Sequence, residues 1–230
     1  MRHWLSGLGA TAVATVIVVG ASVAMAATPA TPLPPPSAVA PDSATPATVA
    51  VTGFRSAAFG MDQADVKAAI EKDFGIKAAA VASGENAAER TQVLSVLVPN
   101  LLEDGGAAQV SYVFGYKSKG LIQIGISWSH QTDSTLTADK LVADGDVLRA
   151  HFLADGYAPQ SVKTGLVLPN GLLLFRGEGA DGHATVLILE GSFKKAADGK
   201  QNILTPTGLA LLYSADPAHP DIFKIAPGRF

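Results

Sequence analysis

Two runs in which large apolar residues alternate with smaller ones constrain the fold of this chain most strongly. The large residues are Val110, Tyr112, Phe114 and Tyr116, followed after a short break by Ile122, Ile124, Ile126 and Trp128. Successive side chains of a strand point to opposite faces, so this alternation predicts two strands with one apolar face. The short break between them predicts an antiparallel hairpin.

The break also predicts the register of the hairpin. If Gly120 takes the left-handed conformation in the loop Ser118-Lys119-Gly120, then Tyr112 faces Ile126 and Val110 faces Trp128. All the large side chains then share one face. The smaller side chains share the opposite face, and they are Ser111, Val113, Gly115, Gln123, Gly125 and Ser127.

Two helices are predicted by their capping residues. Asp62 is a favourable N-cap for the first helix, and Gly75 is placed to end it in the left-handed conformation. Thr137 caps the second helix, and Gly156 is placed to close it. Gly145 inside the second helix costs about 1 kcal/mol relative to alanine, which predicts either a closely approaching strand or a bend.

Further strands complete the predicted fold. Thr91–Val98 is a strand that Pro99 ends, and a second set comprises 172–178, 183–192 and 204–214. Both faces of this second set are apolar, which is typical of strands covered on both sides. The order of elements predicts an α+β fold with two helices packed on an antiparallel sheet. It also suggests a tandem α-β-β-β duplication, with sub-repeats at 53–130 and 131–215 and a C-terminal tail at 216–230.

The N-terminal 52 residues predict an exported protein with a spacer. Residues 1–26 read as a signal peptide that ends in the cleavable triplet Ala24-Met25-Ala26. An uncleaved inner-membrane anchor is the alternative, because Trp4 to Ala27 carry no charge. Residues 27–52 are rich in Pro, Ala and Thr and predict a disordered linker, although Pro32-Leu33-Pro34-Pro35 also matches a P-x-x-P recognition motif. The expected location is the periplasm or the exterior.

Composition excludes several classes of function. The chain has 17 Lys and Arg against 20 Asp and Glu, a net charge of −3, so no nucleic-acid partner is predicted. Cysteine is absent, which excludes disulfides, thiol catalysis and zinc-thiolate sites. No cofactor is predicted. The histidines that follow the signal segment lack metal-binding spacing; they are His130, His151, His183 and His219.

No catalytic constellation is evident in the sequence. Gly125 to Ser129 resembles a nucleophile elbow without its second glycine, but it continues a strand where an elbow needs a turn into a helix. An envelope hydrolase whose site is assembled in three dimensions around Ser127, His130 or His183 remains the alternative function.

The tip of the predicted hairpin is the candidate binding site. It carries Tyr116, Lys117 and Lys119. The two lysines predict either a contact with an anionic envelope component or a hairpin end that is kept soluble by charge.

Three segments carry a resemblance to known proteins: Phe59-Gly60-Met61, the run from Val110 to Lys119, and Leu121-Ile122-Gln123. They resemble a family of secreted proteobacterial proteins without an assigned activity. The chain is also similar to the small α+β modules of outer-membrane assembly lipoproteins and of β-lactamase inhibitor proteins, although it lacks the lipidated cysteine of the former. This resemblance implies a non-enzymatic module that binds another envelope protein through a sheet face.

Overall fold

The computed structural model describes residues 48–195, 202–225 and 228; the predicted signal segment and most of the predicted linker lie outside this range. The helices are α1 (Gln63–Phe74) and α2 (Ala138–Ala154), with short 3₁₀ helices at Ala78–Ala80 and Pro159–Ser161. The strands are β1 (Gly53–Phe54), β2 (Ala57–Ala58), β3 (Ala82–Asn86), β4 (Thr91–Val98), β5 (Ala108–Phe114), β6 (Leu121–Ser129), β7 (Leu166–Leu168), β8 (Gly171–Glu178), β9 (Ala184–Lys195) and β10 (Asn202–Ser214).

The predicted α+β fold is confirmed. Strands β3 to β10 form one antiparallel sheet in the order β3-β4-β5-β6-β10-β9-β8-β7, while β1 and β2 pair separately. Each helix is followed by four strands that are neighbours in chain order, and the two sets meet at β6 and β10. The order of strands is therefore symmetric about this seam. The duplication itself remains a prediction.

Each half contains four strands where the sequence predicted three. The additional strands are β3 and β7, which form the two edges of the sheet. No residue of β3 is buried, and Val167 of β7 is 71% exposed. An edge strand that buries few side chains is held mainly by backbone hydrogen bonds, so it leaves no apolar alternation in the sequence.

Both helices pack on the same face of the sheet. The buried residues Val66 and Ile70 of α1 and Leu141 and Leu148 of α2 belong to one hydrophobic core. The large side chains of the central strands complete this core, and they include Val110, Tyr112, Phe114, Ile124, Ile126, Trp128, Leu187, Leu189, Leu209 and Leu211.

The cap of α1 forms as predicted. The carboxylate of Asp62 accepts hydrogen bonds from the N–H groups of Ala64 (2.8 Å) and Asp65 (3.0 Å). Gly75 ends the helix with φ 69° and ψ 11°, a left-handed conformation that glycine adopts at little cost.

The predicted start of α2 is also confirmed, but its predicted end is wrong. The Thr137 hydroxyl accepts a hydrogen bond from the N–H of Lys140 (3.2 Å). The helix ends at Asp155 in an extended conformation, and Gly156 does not take a positive φ. Instead, the carbonyl of Gly156 accepts hydrogen bonds from Thr48 and Val49, and a Cβ there would collide with the Thr48 side chain. The absence of a side chain at Gly156 therefore leaves room for Thr48 to pack against it.

Gly145 allows strands to approach the helix closely, which is the first of the two roles that the sequence predicts for it. A Cβ on Gly145 would lie 2.7 Å from Cδ1 of Leu174 and 3.3 Å from Cδ1 of Leu209. Strands β8 and β10 therefore approach α2 closely at this position, and a side chain would need one of these leucines to move.

The predicted register of the β5–β6 hairpin is wrong by two residues. Tyr112 pairs with Ile124, and Val110 pairs with Ile126. The loop is longer than predicted, since the Gly115 N–H donates to the carbonyl of Gly120. Lys119, with φ 57°, takes the left-handed conformation that was predicted for Gly120. A shift of two residues preserves the faces, so the aromatic residues up to Phe114 still lie in the core.

A bulge follows in β6. Leu121, 1% exposed, occupies the core position that the alternation predicted for Ile122, which is half-buried. Two main-chain hydrogen bonds hold Leu121 there, because its N–H donates to Met61 and its carbonyl accepts from Gly60. The tight segment before α1 therefore decides this part of the register.

Strands β8 and β9 of the second set have buried side chains on both faces, but the helices pack on only one of these faces. A bulge between Leu173 and Phe175 places Phe175 opposite Leu187 on the helix side, while Leu173 pairs with Ile188 on the other side. Leu174 contacts α2 near Gly145 and so belongs to the helix side as well. The buried residues Leu173 and Ile188 do not belong to the helix-side core.

Candidate functional site

The face of the sheet opposite the helices carries neither of the two described helices. One row across the strands consists of Ser95, Ser111, Gly125, Leu212 and Val186, and the next consists of Gln109, Ser127, Ala210, Ile188 and Leu173. We call these two rows the open face. Ile188 and Leu173 are buried, and the other eight residues are half-buried. Neither helix packs on this side of the sheet.

The open face has a small polar part and an apolar part. Serine, glycine and glutamine occupy it on β4, β5 and β6, whereas leucine, valine, isoleucine and alanine occupy it on β8, β9 and β10. Beside the apolar part, the Arg176 guanidinium donates a hydrogen bond of 2.6 Å to the Glu178 carboxylate. A partner on this face would therefore meet two chemically different halves.

Gly125 lies at the centre of the open face and is not required by internal packing. It does not have a positive φ. A Cβ there would meet one heavy atom within 4 Å, Cδ2 of Leu212 at 3.5 Å, which is an ordinary contact. Glycine inside a strand weakens the strand and often marks a place where another chain or ligand approaches closely. The fold of the described chain does not explain this glycine.

The predicted binding tip is held by the protein's own C-terminal tail. The Asp221 carboxylate accepts hydrogen bonds from the N–H groups of Lys117 (3.1 Å) and Ser118 (2.8 Å), and the Asp221 carbonyl accepts from Tyr116 (2.8 Å). The bonds to the carboxylate, that from the Ser118 N–H above all, lower the pKa of Asp221 below its usual range. A Cβ on Gly115 would collide with the same carboxylate.

Phe223 fixes the tail beside Tyr116. The two rings meet edge to face with centroids 5.5 Å apart, and the Arg90 guanidinium lies 3.9 Å from the centroid of Phe223. Tyr116 is therefore half-buried. The side chains of Lys117 and Lys119 remain exposed, and the Lys119 ammonium lies 5.5 Å from the centroid of Tyr116. The role of the tip as a contact remains a prediction.

The structure does not bring together the three residues of the alternative hydrolase. Ser127 lies on the open face between Gln109 and Ala210. His130 follows the end of β6 and is exposed, with Nδ1 3.3 Å from the carbonyl oxygen of Ser134. His183 lies at the other end of the sheet, before β9, so its distance from His130 spans most of the length of the strands.

His183 also lies on the helix side of the sheet. Its Nδ1 is 2.7 Å from the carbonyl oxygen of Val51 and 3.2 Å from a carboxylate oxygen of Asp181. Its ring meets Phe59 edge to face at 5.0 Å. Since Val51 belongs to the helix-side core and Phe59 packs against it, the imidazole has a structural environment, separated from Ser127 by the sheet.

The described residues contain neither a cluster of metal-binding side chains nor a membrane-spanning helix. Histidine, aspartate and glutamate side chains do not gather there in groups of three that could hold a metal ion. Within the same part of the chain, neither helix is long and apolar enough to cross a membrane.

The sequence indicated only part of the open face. The alternation in β5 and β6 predicted that Ser111, Gly125 and Ser127 share a face, and this is confirmed by the register. The contribution of β10, through Ala210 and Leu212, was missed because pairing between β6 and β10 joins segments about 80 residues apart. Comparison with protein-family models, curated proteins and solved structures finds no match to this chain.

Proposed function

We propose that this protein is a non-enzymatic module of the bacterial cell envelope that binds another envelope protein through the open face. The observation that carries the proposal is Gly125, a glycine in the middle of a central strand that the described fold does not need. Its neighbours Ser111 and Ser127 are also small, so the backbone of a partner can approach the sheet closely. The resemblance to modules that bind proteins through a sheet face supports the same reading.

The size of the surface suits a protein partner. Six strands spaced about 4.8 Å apart, each about seven residues long at 3.3 Å per residue, give the whole side of the sheet that contains the open face an area of roughly 650 Å². Stable protein complexes bury about 800 Å² on each partner. The mixture of apolar and small polar side chains is also typical of protein interfaces, since most are about as apolar as the rest of the surface.

Substitution of Gly125 separates binding from folding. We expect Gly125→Ala to raise the free energy of unfolding by about 0.5–1 kcal/mol, because alanine lowers the entropy of the unfolded chain and its Cβ fits. We expect Gly125→Tyr to abolish partner binding while the protein still folds, because the side chain points away from the core. A destabilised Gly125→Ala variant would contradict the packing argument.

The binding test uses a photo-crosslinking amino acid at position 111, introduced into the full-length chain in the cells that produce it. The matched control places the same amino acid at position 147, because Val147 is 61% exposed on α2, on the other side of the sheet. We expect position 111 to capture one defined envelope protein that position 147 does not. Loss of this product in Gly125→Tyr supports the proposal, and equal capture by both positions would refute it.

Export is part of the proposal and has its own test. Cleavage after Ala26 gives a mature chain that begins at Ala27 and resides in the periplasm or outside the cell. The mass of the exported protein distinguishes this product from a chain retained in the inner membrane by its first segment. Charge reversal at Lys117 and Lys119 tests the tip, because capture that is unaffected would leave it as solubilising surface.

A further inference from the structure

Strands β9 and β10 extend beyond the rest of the sheet. The last residue of β9 paired with β8 is Glu190, and the first residue of β10 paired with β6 is Gly208. Beyond these points the two strands pair only with each other, from Gly191–Pro206 to Lys195–Asn202. We call residues 191–195 and 202–207 the ribbon. An isolated pair of strands is marginally stable in water, and only one side of this ribbon is supported by the rest of the protein.

One side of the ribbon faces the protein and the other faces solvent. Phe193 and Leu204 pair and are half-buried, and Leu204 packs against the helix-side core. On the other side, Lys194 pairs with Ile203, which is 56% exposed. Alternation along β9 places Lys194 on the same side as Ile188. The exposed side of the ribbon therefore continues the open face.

The ribbon is cationic in a chain of net charge −3. Lys194 and Lys195 are exposed and do not form an ion pair with any described residue. Acidic residues are absent from residues 191–195 and 202–207, while residues 196–201, which lie outside the described residues, contain Asp198 and Lys200. The nearest acid along the strand is Glu190 at the base, where burial raises the pKa of the carboxyl group. An exposed isoleucine opposite the exposed Lys194, on the side that continues the open face, favours an acidic partner surface that also offers an apolar group. Lys195 points to the other side of the ribbon and adds to the local positive charge.

We propose that the ribbon is a second contact for the protein that binds the open face, and that this partner presents acidic side chains to Lys194 and an apolar group to Ile203. The inference rests on the proposed function. The exposed side of the ribbon is too small for a stable interface by itself, since each side of such an interface involves about 20–30 residues. It is large enough to extend one. Charged contacts at the rim of an interface act mainly on the rate of association.

The test begins with crosslinking from positions 111 and 203 of the full-length chain in the producing cells. The protein captured from position 111 is then identified and purified, and its association rate is measured against the wild type and the double variant Lys194→Glu, Lys195→Glu. The matched control is Lys72→Glu with Arg149→Glu, an equal change of charge at exposed positions of the helices. Thermal unfolding checks that both variants fold.

We expect both positions to capture the same protein, with the crosslink from position 203 in an acidic segment. Reversal of the ribbon lysines should lower the association rate about tenfold at 50 mM salt and less than twofold at 500 mM, because screening weakens long-range attraction. The helix control should differ from the wild type by less than twofold.

The other outcomes separate the two proposals. Capture from position 111 without capture from 203, or equal association rates, overturns the ribbon contact and leaves the open face as the binding site. No capture from position 111 refutes the proposed function and removes the basis of the ribbon contact. A lipid surface would be the partner of the ribbon if the protein binds vesicles of phosphatidylcholine with 30% phosphatidylglycerol, loses this binding on charge reversal, and gives no protein crosslink from position 203. That result would overturn the proposal.

Discussion

Replacement of Gly145 by valine tests how closely α2 packs against the sheet. The first carbon of any side chain at this position would lie 2.7 Å from Leu174 Cδ1, well inside van der Waals contact, and valine adds two further methyl groups. Overpacking of this kind typically costs 1–3 kcal/mol. Valine recovers only a few tenths of a kcal/mol through its better helix propensity. We expect the free energy of unfolding to fall by about 2 kcal/mol.

The assay is reversible unfolding of the wild type and the variant, followed by circular dichroism. For a domain of this size a loss of about 2 kcal/mol lowers the melting temperature by roughly 4–8 °C. The matched control is Ala143→Val on the exposed side of the same helix, which should lose only about 0.5 kcal/mol from helix propensity. If Gly145→Val is as stable as Ala143→Val, the close approach of α2 to β8 and β10 is wrong.

Three further substitutions test the tail and the buried hydroxyls. Asp221→Asn should lower the free energy of unfolding by less than about 1 kcal/mol at pH 7, because the bonds from Ser118 and Lys117 favour the charged carboxylate but solvent weakens them at this accessible position. These bonds lower the pKa of Asp221 in the folded state, so the carboxylate stabilises the fold at pH values above its pKa in the unfolded chain. This stabilisation is lost as pH falls below about 4, and the variant and the wild type should therefore converge in acid unfolding experiments. Tyr157→Phe should lower the free energy of unfolding in urea by about 1–2 kcal/mol, because the Tyr157 hydroxyl donates a hydrogen bond of 2.7 Å to the hydroxyl of the buried Thr185. A loss of less than about 0.5 kcal/mol would contradict that bond. Tyr112→Phe should leave stability unchanged or higher, because the buried Tyr112 hydroxyl has no hydrogen-bond partner among the described residues; a loss above about 1 kcal/mol would show that it is satisfied.

Local chemistry explains which predictions from the sequence were accurate. The starts of both helices and the bounds of β4 agree with the prediction to the residue. Caps such as Asp62 depend on contacts within one turn of the chain, and the alternation in β4 depends only on which side of one strand faces the core. The division of β5 and β6 into a large apolar face and a small polar face was predicted for the same reason.

Contacts between distant segments explain the errors. The register of the β5–β6 hairpin depends on Leu121, which hydrogen bonds to Gly60 and Met61, and on Asp221, which binds the loop from the C-terminal tail. Gly156 fits the pattern of a helix end equally well, but the approach of Thr48 decides its conformation. None of these partners is close in sequence to the position it controls.

The amino-acid sequence by itself determined the class of fold, the helix starts and the faces of the central strands, because periodicity and capping act over a few residues. The tertiary structure decided what these faces become. Pairing of β6 with β10 joins the two halves into one sheet. Both helices pack on one side of this sheet, and the small residues around Gly125 lie on the other side. That arrangement requires strand pairing across most of the folded chain, which no local pattern encodes.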